Sequence, residues 1–111
     1  MALDLLKGTL DVLVLKTLSW GPLHGYGVSR AIRLATDELL QVEEGALYPA
    51  LRRLESRGLV EASWGRTDTG REARFYALTP AGEEALEAER RGWERYVMAM
   101  ARVLDAEGPL G

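Results

Sequence analysis

The order of apolar and polar positions divides the chain at its glycines and prolines. From Leu5 to Leu18 the residues favour a helix, with Leu6, Leu10, Leu13, Val14 and Leu18 in one stripe at helical spacing. Leu5, Val12 and Leu15 lie off that stripe. A helix apolar on two sides needs two partners, and its own domain is expected to cover only one. Gly21-Pro22 ends it. A second helix is expected from His24 or Gly25 to about Thr36, because Val28, Ile32 and Ala35 recur at helical spacing. A third follows Glu43-Glu44-Gly45 and is closed by Gly58, with Leu47, Leu51 and Leu54 on one face. Pro49 argues that this helix starts only a few residues earlier, since proline is tolerated in the first turn. Two strand-like runs, Leu59–Trp64 and Ala73–Leu78, flank a polar tip over Gly65–Arg71. Thr79-Pro80 then reads as a helix cap followed by proline at the first helical position. The last helix is expected to reach about Ala106, roughly 40 Å at 1.5 Å per residue.

The predicted fold is therefore mainly α with a small β-hairpin. Its first five elements stand in the order of a winged helix-turn-helix, and a long C-terminal helix follows. Residues 1–79 are expected to form the winged-helix unit and residues 80–107 a dimerisation helix. A chain of 111 residues fits one domain, and a monomer this small gains from burying apolar surface against a partner subunit. The absence of cysteine excludes a disulfide framework, a thiolate nucleophile and a cysteine metal site. A lone histidine, His24, argues against a zinc site or a histidine-based triad. With no glycine-rich phosphate loop either, neither enzyme nor cofactor is expected. No apolar run approaches the roughly 20 residues of a membrane span, and the N-terminus lacks a signal-peptide pattern. A cytoplasmic protein without a membrane partner is expected.

Charge refines this picture through its placement. The net charge of −3 argues against a nucleic-acid partner. Yet residues 50–75 carry six arginines against four acids, whereas residues 76–111 carry seven acids against four arginines. One surface is suited to DNA and another is kept for other work. On the third helix, Leu47, Ala50, Leu51 and Leu54 point inward, while Gly45, Pro49, Arg52, Arg53 and Ser56 face out with Tyr48 on the flank. A helix small at its start and cationic further along can approach phosphates and base edges. The hairpin adds Arg66, Arg71 and Arg74 around Thr67-Asp68-Thr69-Gly70, which could serve phosphates or simply protect a strand edge.

In the last helix, Leu86, Trp93, Val97, Met100 and Leu104 form a seam for another helix. That partner is either the chain's own first helix or, in the reading favoured here, the first helix of a second copy. Leu6 joins this dimer interface. Trp93 is an interface residue in the plainer reading. In the sharper one, it and its symmetry mate form a slot for a flat aromatic ligand. His24 is expected to start a helix, and Trp64 and Tyr76 to lie in the core.

Taken together, several segments make the chain resemble the PadR family, regulators named for their response to phenolic acids. They are Leu5-Leu6-Lys7-Gly8-Thr9-Leu10, Gly21-Pro22-Leu23-His24-Gly25-Tyr26 and Glu44-Gly45-Ala46-Leu47-Tyr48-Pro49-Ala50-Leu51. Arg53-Leu54-Glu55-Ser56-Arg57-Gly58-Leu59, Trp64-Gly65, Arg71 and Tyr76-Ala77-Leu78-Thr79-Pro80-Ala81-Gly82 complete the pattern. The resemblance implies DNA contacts from Ala46, Tyr48, Pro49, Arg52, Arg71 and Arg74, with Lys7 and Tyr26 on phosphates. The single helix after the hairpin places the chain beside the short subgroup of that family. In a drug-binding member of the subgroup, the tryptophan corresponding to Trp93 pairs across the dimer and sandwiches flat aromatic compounds. The pocket wall carried over is Leu5, Val12, Lys16, Glu89, Trp93, Tyr96 and Val97. Glu89 and Arg90 make this slot more charged than in the drug binder, and Trp20 departs from the pattern. The expected function is a homodimeric transcriptional repressor that binds double-stranded DNA at a palindromic operator. A planar aromatic or phenolic effector would release it. The alternative is a winged-helix module that contacts protein and not DNA.

Overall fold

The computed structural model describes residues 8–109, so the expectations placed on Leu5, Leu6 and Lys7 lie outside the described residues. Its elements are α1 (Leu10–Leu18), β1 (Leu23–His24), α2 (Gly25–Ala35), α3 (Glu44–Ser56), β2 (Val60–Arg66), β3 (Glu72–Leu78) and α4 (Pro80–Asp105). The three strands form one antiparallel sheet in the order β1-β3-β2. The core is built from Val14, Leu15 and Leu18 of α1, Val28 and Ile32 of α2, Leu47, Leu51 and Leu54 of α3, and Val60 and Tyr76 of the sheet. Mostly helical with a small sheet, this is the predicted winged-helix architecture.

Local chemistry explains the boundaries. Gly8 adopts a φ of 86°, a left-handed value that cannot continue a helix, so α1 opens at Leu10 rather than running unbroken from Leu5. At the end of α3, Gly58 takes a φ of 73°. The amides of Gly58 and Leu59 then donate to the carbonyls of Glu55 and Leu54, each at 3.0 Å, closing the helix in a Schellman turn. Thr79 caps α4 as expected: its Oγ1 accepts from the Gly82 amide at 3.0 Å and donates to the Gly58 carbonyl at 2.7 Å. At Gly82 a Cβ would collide with the Leu59 carbonyl oxygen. Glycine there lets α4 root directly on the α3–β2 turn.

Four expectations are corrected. Leu15 is fully buried by its own chain, so the surplus apolar side of α1 reduces, among the described residues, to the half-buried Val12. β1 was not anticipated; it consists of two residues paired with Tyr76 and Phe75. Pro49 is the sixth residue of α3, not a first-turn residue. The amide it lacks would have bonded the Gly45 carbonyl, and Gly45 is exposed with open space about it, so water can serve that oxygen instead. Finally, Trp64 is 76% exposed. Strand alternation does put it on the face shared by Val60 and Ala62, but the hairpin carries it past the end of the core.

Candidate nucleic-acid interface

The candidate recognition surface is organised by α3. Leu47, Ala50, Leu51 and Leu54 are buried, which fixes the helix's rotation and turns Gly45, Ala46, Arg52, Arg53 and Ser56 to solvent. Tyr48 stands on the flank, and its ring lies so close to Gly25 that a Cβ there would be 2.8 Å from the phenol oxygen. The first residue of α2 thus sets the attitude of the Tyr48 side chain. Glu43 and Glu44 are exposed at the start of α3. Carboxylates there complement the helix dipole, so this end is less inviting to phosphate than its backbone amides suggest. Carboxylates also accept from the cytosine amino group in a major groove.

Two ion pairs brace this helix from opposite sides. Arg53 donates to Asp11 of α1 at 2.8 Å, and Arg74 of β3 donates to Glu55 at 2.9 Å. Arg74, expected to contact DNA, is engaged within the chain in this structure. Arg66 likewise donates to the Gly70 carbonyl at 3.0 Å and stiffens the hairpin tip. Among the described residues, Arg52 and Arg71 make no ion pair. They are the described cations of the expected set that remain available. Tyr76, near Arg52 and Arg74, is buried at 5% exposure. Burial raises its phenol pKa above the usual value, Arg74 pulls the other way, and Glu55 and Tyr48 add to the rise against a further lowering by Arg52.

Tyr26 and Arg71 line one cleft between α2 and the hairpin, hereafter the wing. Arg30 also lines it, one helical turn along α2 from Tyr26. Sequence reading missed Arg30 because it belongs to no motif; its spacing from Tyr26 on the solvent face of α2 was the available signal.

Of the residues expected to form a ligand slot, those that are described lie on α1 and α4. The Lys16 ammonium sits 5.8 Å from the centre of the Trp20 ring, which gives that tryptophan a cation–π role. Val12, Glu89 and Trp93 are half-buried. Trp93 meets Tyr96 edge to face at 5.8 Å between ring centres. Leu86 packs against the core, but Tyr96, Val97, Met100 and Leu104 are exposed. None of these residues lines the cleft between α2 and the wing.

Residues 14–88 match the transcriptional regulator PadR-like family. A transcriptional regulator from Clostridium thermocellum has the same fold, with a TM-score of 0.78 at 31% identity over 86% of this chain and 93% of that one. A PadR-like transcriptional regulator from Bacillus cereus gives a TM-score of 0.77 at 27% identity, covering 91% and 96% of the two chains. A transcriptional regulator of Mycobacterium tuberculosis is 48% identical over 54 residues, which span 49% of this chain and 50% of that protein.

Proposed function

This chain belongs to the PadR-like family of transcriptional regulators, and we propose that it acts as a homodimeric repressor on a palindromic DNA operator. The observation that carries the proposal is the outward face of α3. It is small at Gly45 and Ala46, cationic at Arg52, which makes no ion pair among the described residues, and braced by ion pairs on both flanks. Ala46, Tyr48, Pro49 and Arg52 approach the bases, while Tyr26 and Arg71 meet phosphates, as does Lys7. Arg74 reaches DNA only by leaving Glu55.

Residues 1–79 form the DNA-binding head, and residues 80–107 join two copies. The exposed Val97, Met100 and Leu104 support that joining; Leu6, Leu86 and Trp93 are the further residues assigned to the seam. A two-fold axis would set the recognition helices about one DNA turn, ~34 Å, apart. The edge-to-face pair of Trp93 and Tyr96 supports a slot for a planar aromatic effector, with Leu5, Val12, Lys16, Glu89 and Val97 completing its wall. Binding of the effector shifts the repressor only through a difference in affinity for its two arrangements.

The test is a gel-shift titration with the DNA upstream of the protein's own gene. Affinity is expected to fall steeply with salt through counterion release. Arg52→Ala is expected to cost about 1–3 kcal/mol, and Arg71→Ala to reduce the salt slope by about one. No binding at low salt would overturn the reading. For the slot, a planar dye should quench tryptophan fluorescence, and undiminished quenching in Trp93→Ala would count against it.

A further inference from the structure

β1 covers β3 only at Tyr76 and Phe75. Toward the hairpin tip the flank of β3 is open, and the solvent side of α2 stands across from it. Between them is a cleft of about 780 Å³, within the roughly 300–1,000 Å³ typical of small-molecule sites. Leu23, Ala31, Leu34 and Ala73 give it an apolar lining, and Leu34 is 54% exposed, so apolar surface there is left for a ligand to cover. Arg30 from α2 and Arg71 from the wing border it from opposite walls. Among the described residues neither makes an ion pair. Two acids also line the cleft. Asp68 is exposed at the tip, and Glu72 stands in register with Arg66, on the sheet face opposite to that of Ala73.

We propose that this cleft binds a small amphipathic organic anion, its acidic group between Arg30 and Arg71 and its apolar body against Leu23, Ala31 and Leu34. A phosphodiester backbone would meet the two guanidiniums but leave the apolar lining uncovered. The site lies within one protomer and is separate from the slot at Trp93. Because Tyr26 and Arg71 are shared with the DNA surface, ligand and operator exclude one another; that consequence rests on the regulator reading, whereas the binding itself does not.

The probe is 2-naphthoate, titrated into the isotope-labelled full chain and followed by amide chemical shifts. Saturable shifts are expected at Gly27, Ala31, Leu34 and Ala73. Ala31→Trp, which fills the cleft, should abolish them while amides remote from the cleft keep their wild-type positions. Arg30→Gln, a surface change that preserves the fold, should weaken binding by about tenfold, the loss of one charge-assisted hydrogen bond. Uncharged 2-methoxynaphthalene should bind more weakly than naphthoate to the wild type. Shifts confined to Trp93 and α4, shifts that persist in Ala31→Trp, or affinity unaltered in Arg30→Gln would each overturn the proposal. Cleft shifts in a protein that binds no DNA would uphold the site and sink the regulator reading. DNA binding with unmoved cleft amides would do the reverse.

Discussion

At Tyr76 a single phenol registers how tightly the wing is seated on the recognition helix. Its pKa is raised chiefly by burial, so the neutral form is favoured in the folded protein. The unfolded chain therefore loses this proton first, near the ordinary value of about 10. The stabilisation is complete below that pH and is lost as pH rises through the folded value. An alkaline tyrosinate titration should show one late-titrating tyrosine, absent in Tyr76→Phe, whose alkaline unfolding should be correspondingly less steep. Trp64 gives the opposite expectation. With its ring mostly in water, Trp64→Ser should change unfolding free energy by no more than about 0.5 kcal/mol, as denaturant midpoints would report. Alternation along β2 made Trp64 look like core, because the pattern gives the face of a strand and not where the core beneath it stops. The arginines of α3 and the wing were half-legible. Their spacing put them on outward positions, but Arg53 finds Asp11 42 residues away and Arg74 finds Glu55 19 residues away. Only tertiary packing creates such pairs.

Elements with their own punctuation were readable from the sequence. Gly58 closes α3 and Thr79-Pro80 opens α4 where expected, since caps depend on local backbone conformation. β1 was not readable, because two residues become a strand only when β3 lies beside them. Pro49 misled in another way: a helix beginning at Glu44 tolerates a proline deeper than the first turn where the carbonyl it orphans, that of Gly45, faces solvent. The junctions permit quantitative tests. Thr79→Ala removes both hydrogen bonds of the cap and should cost about 1–2 kcal/mol in chemical denaturation. Gly82→Ala places a methyl against backbone rather than against a movable side chain. It should destabilise by about 1–3 kcal/mol, the range for overpacking.

The molecule as a whole is elongated, with extents of 61 × 33 × 21 Å and a radius of gyration of 16.3 Å, against roughly 13 Å for a compact chain of about 100 residues. The excess comes from α4, whose outer half carries Tyr96, Val97, Met98, Met100, Val103 and Leu104 exposed. A lone helical stretch of this length is marginal in water, so a second copy is expected to cover it. Val97→Asp combined with Leu104→Asp should convert the proposed dimer to a monomer in sedimentation velocity, lower the helix content and abolish operator binding. A wild-type protein that sediments as a monomer would contradict this assembly. The backbone around Leu59 decides how such an assembly moves. Its amide completes the final turn of α3, and its carbonyl accepts from the Thr79 amide at 3.1 Å and abuts Gly82. One peptide segment is therefore shared by the end of α3 and the start of α4. In the proposed dimer, a change in the crossing angle of the two α4 helices would be passed through that shared segment to α3, and so would alter the half-site separation that the pair can grip.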